Sequence, residues 1–74
     1  MTNWRDLANR RIGTMAPQVI SYLEKVNPNF DWSAAINSNI DLGMSKYGGG
    51  YLDPGRTSAE SIAHNIMGEA GPQF

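Results

Sequence analysis

Residues 50 to 57 read Gly-Tyr-Leu-Asp-Pro-Gly-Arg-Thr, the stretch of this 74-residue chain whose residue types and spacing come nearest to reactive machinery. Gly50, Gly55, Arg56 and Thr57 nearly reproduce the spacing of a glycine-rich loop whose amides cradle phosphate, with arginine where that loop carries lysine. As an anion site these four residues would make the chain a phosphate-binding module or a small enzyme. Their context argues for a turn instead. A phosphate loop follows a buried strand and sits at the mouth of a parallel sheet, whereas here the preceding residues read as a helix ending in Gly48-Gly49-Gly50. Asp53-Pro54-Gly55 is a turn sequence with proline at its second position, and Asp53 would repel a phosphate. Thr57-Ser58-Ala59-Glu60 matches a capping box, which puts the Thr57 hydroxyl on a backbone amide.

Other reactive groupings are sparse. His64 is the only histidine, and its position opposite Ile62 and Ile66 makes it a solvated residue rather than the base of a nucleophilic pair. Asp31, Asp41 and Asp53 lie too far apart for the oxygen-rich loop that calcium requires, so they read as cap, surface and turn. Arg10-Arg11 reads as a solvated helix face, with contact to an acidic partner as the alternative. The absence of cysteine excludes disulfides and thiolate zinc sites. No metal or other cofactor is implied, and the expectation is a protein without catalytic activity.

The elements that position these residues follow from hydrophobic periodicity. Trp4, Ala8, Ile12, Met15, Val19, Tyr22, Leu23 and Val26 recur at intervals of three and four, one helical stripe that stays in phase past Gly13 and Pro17. Residues 3–26 are therefore expected as one kinked helix or two abutting ones, with Thr2 as N-cap and the kink produced where the Pro17 ring meets the Gly13 carbonyl. A second helix is expected over 32–47, capped by Asp31, with Trp32, Ile36, Ile40, Gly43, Met44 and Tyr47 on its inner stripe. Gly43 on that stripe would let another backbone come close. The glycine triplet ends this helix in a glycine-rich loop, and a third helix over 58–68, lined by Ala59, Ile62, Ala63, Ile66 and Ala70 and stopped around Gly68 or Gly71, is followed by a flexible tail, 71–74. The fold class is all-α: a small bundle of about three helices forming a single domain over residues 1–74.

Charge and size set the function class. Four basic residues to Val26 (Arg5, Arg10, Arg11, Lys25) face two acidic ones (Asp6, Glu24), and the remainder is acidic, giving a formal −1 overall. With a pI of about 5.6 and no concentrated basic patch, nucleic acid is disfavoured as a partner. The N-terminus carries no basic stretch leading into an apolar run, and no segment is apolar enough to span a bilayer. A cytoplasmic location, or one inside a larger assembly, is the expectation. A chain this short builds a core worth only about 3–5 kcal/mol and gains from docking. Apolar residues outside the stripes (Ile20, Leu42, Tyr51, Leu52 and Phe74), together with Trp4, are the candidate partner contacts, with core completion as the alternative for some of them. The sequence thus points to a non-enzymatic interaction or assembly protein, a small subunit of a virion or other large complex or a regulator of a larger protein, with a protein partner or a second copy of itself.

Overall fold

The computed structural model describes residues 3–74 and shows a small all-α bundle. Its four α-helical segments are α1 (Trp4–Ile12), α2 (Ala16–Val26), α3 (Ser33–Tyr47) and α4 (Ala59–Ala70). Among the described residues no strand forms and no helix is long and apolar enough to cross a membrane.

The first periodic stretch does break near Gly13, and the break is a reversal. Arg5 Nε lies 2.6 Å from Glu24 Oε2, and Arg5 also donates to the Pro28 carbonyl at 3.1 Å. In one continuous helix Arg5 and Glu24 would stand about 28 Å apart at 1.5 Å per residue, beyond the reach of both side chains. The reversal comes from Gly13, whose φ of +78° is open to glycine and strained for other residues; a 3-10 turn over Gly13–Met15 then leads into α2. Pro17 does not cause it. It occupies the first turn of α2, where its missing N–H has no intrahelical partner to lose. The apolar stripe survives the reversal because Trp4, Ala8, Ile12, Met15, Val19 and Leu23 all end in the core and Tyr22 is half-buried against it; only its last member, Val26, lies exposed.

Helix α4 packs on both α2 and α3, and α1 closes the other side against α2 and α3. Arg11 ties α1 to α3 by donating to Asp41 at 2.7 Å and to Asn37 at 3.2 Å, so one member of the arginine pair is engaged while Arg10 faces solvent. Ion pairs this exposed contribute at most about 1 kcal/mol each, leaving the apolar core to hold the bundle.

The caps sit one residue from their expected places. Asn3 caps α1 by accepting from the Arg5 amide at 2.9 Å, while Thr2 lies outside the described residues. Trp32, too apolar to cap, holds the N-cap position of α3, and Asp31 reaches past it to accept from the Ser33 amide at 3.0 Å. The Asp31 carboxyl is held below its ordinary 3.8 by the nearby Ser33 hydroxyl, which stops short of hydrogen-bond geometry, and by the Ser33 amide, against a slight opposing effect of burial. Because the folded carboxyl titrates below the unfolded one, its stabilisation is present above the ordinary carboxylate range and is lost as pH falls through the lowered value. Asp31→Ala should therefore unfold at lower urea than the wild type near pH 7, and the gap should narrow as pH falls through and below the ordinary carboxylate range.

Ser58, not Thr57, caps α4, its Oγ accepting from the Ser61 amide at 3.1 Å. Helix α4 runs through Gly68 to Ala70, and Gly71, the later of the two glycines expected to stop it, is its C-cap. The segment after it is a 3-10 turn over Gly71–Gln73 rather than a free tail, and it returns Phe74 to the core rim. There the Phe74 ring lies 5.1 Å from Trp32 and 6.3 Å from Phe30. The glycine triplet likewise winds on as a 3-10 helix over Gly48–Leu52 after Gly48 ends α3 with a φ of +66°.

Candidate functional site

That second 3-10 turn organises the most structured surface feature of the molecule. It doubles the chain back so that the Tyr51 ring lies against Gly43, where an added Cβ would stand 2.3 Å from two ring carbons. The close approach foreseen at Gly43 is therefore that of a ring and not of a backbone. Tyr51 is buried, and its hydroxyl donates to Asn39 Oδ1 at 2.6 Å and accepts from Asn65 Nδ2 at 3.3 Å. This network joins α3, the 3-10 turn and α4, and it satisfies Asn39, itself buried on α3. Tyr51→Phe strands the Asn39 amide oxygen and is expected to cost about 1–3 kcal/mol in urea unfolding; in an Asn39→Leu background the same change should cost far less.

Tyr47 stacks on the outer side of Tyr51, with centroids 6.0 Å apart and planes within 16°. One face of Tyr47 is thus supported while 61% of the residue stays exposed. The Lys46 ammonium lies 5.4 Å from its ring. Two clefts open on either side of this aromatic pair. The larger, about 460 Å³, runs between α3 and α4 past Leu42, Lys46, Gly68 and Glu69, with Gly43 and Tyr51 as its floor. The smaller, about 390 Å³, is lined by Gly50, Arg56 and Thr57.

The phosphate-loop residues are thus at a cleft, but three of their backbone amides and the Thr57 hydroxyl already donate within the loop. Asp53 forms the turn: its Oδ1 accepts from the Gly55 amide at 2.8 Å, and its carbonyl accepts from the Arg56 and Thr57 amides at 2.9 Å each. Thr57 Oγ1 donates to the Gly50 carbonyl at 3.2 Å, which ties the two ends of the loop together. Arg56 lies 3.8 Å from the Asp53 carboxylate. An incoming phosphate would meet a loop folded around its own carboxylate. His64 is exposed on α4, as expected from its phase, and borders the larger cleft. Among the described residues no group of three or more His, Asp or Glu side chains is placed to hold a metal ion.

The residues marked as partner contacts separate into three kinds. Trp4 and Tyr51 are buried in the core, the alternative that core completion offered, and expose little surface to a partner. Trp4 lies under the Arg5 guanidinium, 4.5 Å from its ring, and Tyr51 is drawn in by Gly43 and the two asparagines. Ile20 and Leu52 are half-buried and pack against the core. Leu42 and Phe74 are exposed, and of these only Leu42 borders a cleft shared with an exposed aromatic.

Tyr47 and Met44 were placed on the inner stripe of α3, yet both are exposed. Tyr47 has the right phase for burial, but it stands in the last turn of α3, and the ring that fills the stripe there is Tyr51. Its position immediately before three glycines was the available signal, since a helix end can overhang the element it packs on.

Comparison with known proteins finds nothing similar: no family model, no curated protein and no solved structure matches the chain.

Proposed function

We propose that this is a non-enzymatic protein-interaction module that binds through the α3–α4 face around Tyr47 and Leu42. The observation that carries the reading is the exposed Tyr47 ring, held in one orientation by its stack on a buried, hydrogen-bonded Tyr51. An aromatic side chain fixed in this way loses little conformational freedom when covered, and its ring and hydroxyl suit the centre of a protein interface. Leu42, 57% exposed beside the larger cleft, adds apolar area to the same face. The alternative, an anion site at Gly50, Gly55, Arg56 and Thr57, has less support because three of its amides already donate to Asp53.

Photo-cross-linking tests the reading. A benzophenone side chain at position 47, in cells that make the protein, should yield a discrete cross-linked protein, whereas the same group at exposed Lys25 on α2 should not. Equal yields from both positions, or none from position 47, would overturn it.

A further inference from the structure

The reading above names a face without its occupant, and the arrangement of charge along that face selects one. Helices α3 and α4 run antiparallel: Ser38 Oγ donates to Glu69 Oε1 at 2.6 Å, near the start of α3, while Asn39 and Asn65 meet through Tyr51. Ser38, Leu42 and Lys46 follow one another at intervals of four along α3, so they form a single row. Glu69 is therefore held at the Ser38 end of the cleft and Lys46 stands at the other, about 12 Å along the helix, with Leu42 midway.

Neither charge meets an opposite charge among the described residues, although the Lys46 ammonium also lies near the Tyr47 ring. Among the described residues the ion pairs are Arg5–Glu24, Arg11–Asp41 and Arg56–Asp53, so Lys46 and Glu69 have no charged partner. Glu69 spends one oxygen on a neutral hydroxyl. Gly68, which lines the same cleft, has no side chain to fill it, and a Cβ there would meet nothing within 4 Å.

An unpaired cation and an unpaired anion at opposite ends of one cleft, with an exposed apolar residue between them, make a patch complementary to itself. A two-fold axis beside Leu42 brings each copy's Lys46 opposite the other copy's Glu69 and sets the two leucines against each other, the arrangement that an isologous interface requires. A foreign partner would need the same charges in reverse order; a second copy carries them already. We infer that the occupant of the α3–α4 face is a second copy of this chain, paired about a two-fold axis by reciprocal Lys46–Glu69 contacts around Leu42. A standard interface of about 800 Å² per partner would cover roughly a fifth of the 4411 Å² surface. This inference rests on the reading of the face as an interaction surface.

Light scattering across a hundredfold concentration range, up to about 1 mM, tests it by charge reversal. The wild type should rise towards the dimer mass. Lys46→Glu and Glu69→Lys should each weaken association at least ~10-fold, because like charges then face each other at both ends of the interface. The double variant carrying both reversals should recover the wild-type dimer. Circular dichroism on each variant separates lost association from lost folding, and the recovered double variant cannot be a misfolded chain. A wild type that stays monomeric to the top of the range overturns the inference, as does a dimer indifferent to either reversal or a double variant that fails to recover. Cross-linking from position 47 to a different protein would then leave the interaction reading standing; a monomer that also gives no cross-link from that position removes both.

Discussion

Gly43→Ala is expected to destabilise the protein by about 3 kcal/mol, the upper part of the usual range for overpacking a filled site. The cost comes from one added carbon. It would stand 2.3 Å from two carbons of the Tyr51 ring, more than 1 Å inside an ordinary carbon–carbon contact of about 3.5 Å, so the ring must move. Tyr51 is poorly able to move. Its hydroxyl is held by Asn39 and Asn65, and its outer face supports Tyr47. Displacing it therefore also strains the buried hydrogen bonds and releases the aromatic pair on the surface.

A double-mutant cycle isolates that cause. Tyr51→Leu alone should be costly, but adding Gly43→Ala to it should cost at least about 1 kcal/mol less than adding it to the wild type, a coupling typical of residues in direct contact. Urea unfolding followed by circular dichroism measures all four corners. Additive effects would mean that Gly43 matters for a reason other than the ring. The intrinsic helix preference predicts the opposite sign, since alanine in a helix interior is favoured over glycine by about 1 kcal/mol; a destabilised variant thus reports packing that outweighs propensity.

Trp32→Ala is the second large effect, expected at about 3–5 kcal/mol. Trp32 is fully buried, its Nε1 donates to the Asn27 carbonyl at 3.1 Å, and Phe30 meets it edge-on with centroids 4.7 Å apart. Truncation removes the transfer energy of the ring, leaves a cavity at the junction of the α2–α3 loop, and takes away the surface on which Phe74 rests. Domains have total stabilities of roughly 0.05–0.15 kcal/mol per residue, so a chain of 74 residues holds about 4–11 kcal/mol. The variant is therefore expected to lose a large share of its stability and to melt well below the wild type. Trp32→Phe, which keeps most of the apolar contact and loses the Nε1 donor, should retain a cooperative melt at a lower temperature. Near-wild-type melting of Trp32→Ala would show that the aromatic cluster is peripheral to the core.

Much of the architecture was legible in the sequence. The stripes from Trp4 to Leu23, from Trp32 to Gly43 and from Ala59 to Ala70 all face the core, because helical phase depends only on spacing and the apolar residues keep that spacing. The punctuation was legible for a similar reason. Asn27-Pro28-Asn29 and Gly48 end helices through their own backbone preferences, and Asp53-Pro54-Gly55 closes a turn with its own side chain. Caps slipped by a residue, since serine at 58 and threonine at 57 offer chemically similar hydroxyls and the choice depends on where the helix axis meets the neighbouring helices.

The candidate site was half visible. Leu42 stood out because it lies off the stripe, but Tyr47 lies on it and was read as core, while Tyr51, left open between partner contact and core completion, is core. Both assignments turned on a single event, the return of the 3-10 turn across Gly43. Helical phase says which way a side chain points, and nothing about whether something arrives to cover it.

The sequence by itself determined the all-α class, the inward faces and the places where helices stop, since each depends on interactions among residues within a few positions of one another. Only the tertiary structure decided that Gly13 reverses the chain instead of kinking it, that Tyr51 goes inside and Tyr47 stays out, and that Lys46 and Glu69 end at opposite ends of one cleft. Those outcomes depend on contacts between residues such as Arg5 and Glu24 or Asn39 and Asn65, far apart along the chain, whose meeting is set by the packing of the whole core and by no local pattern.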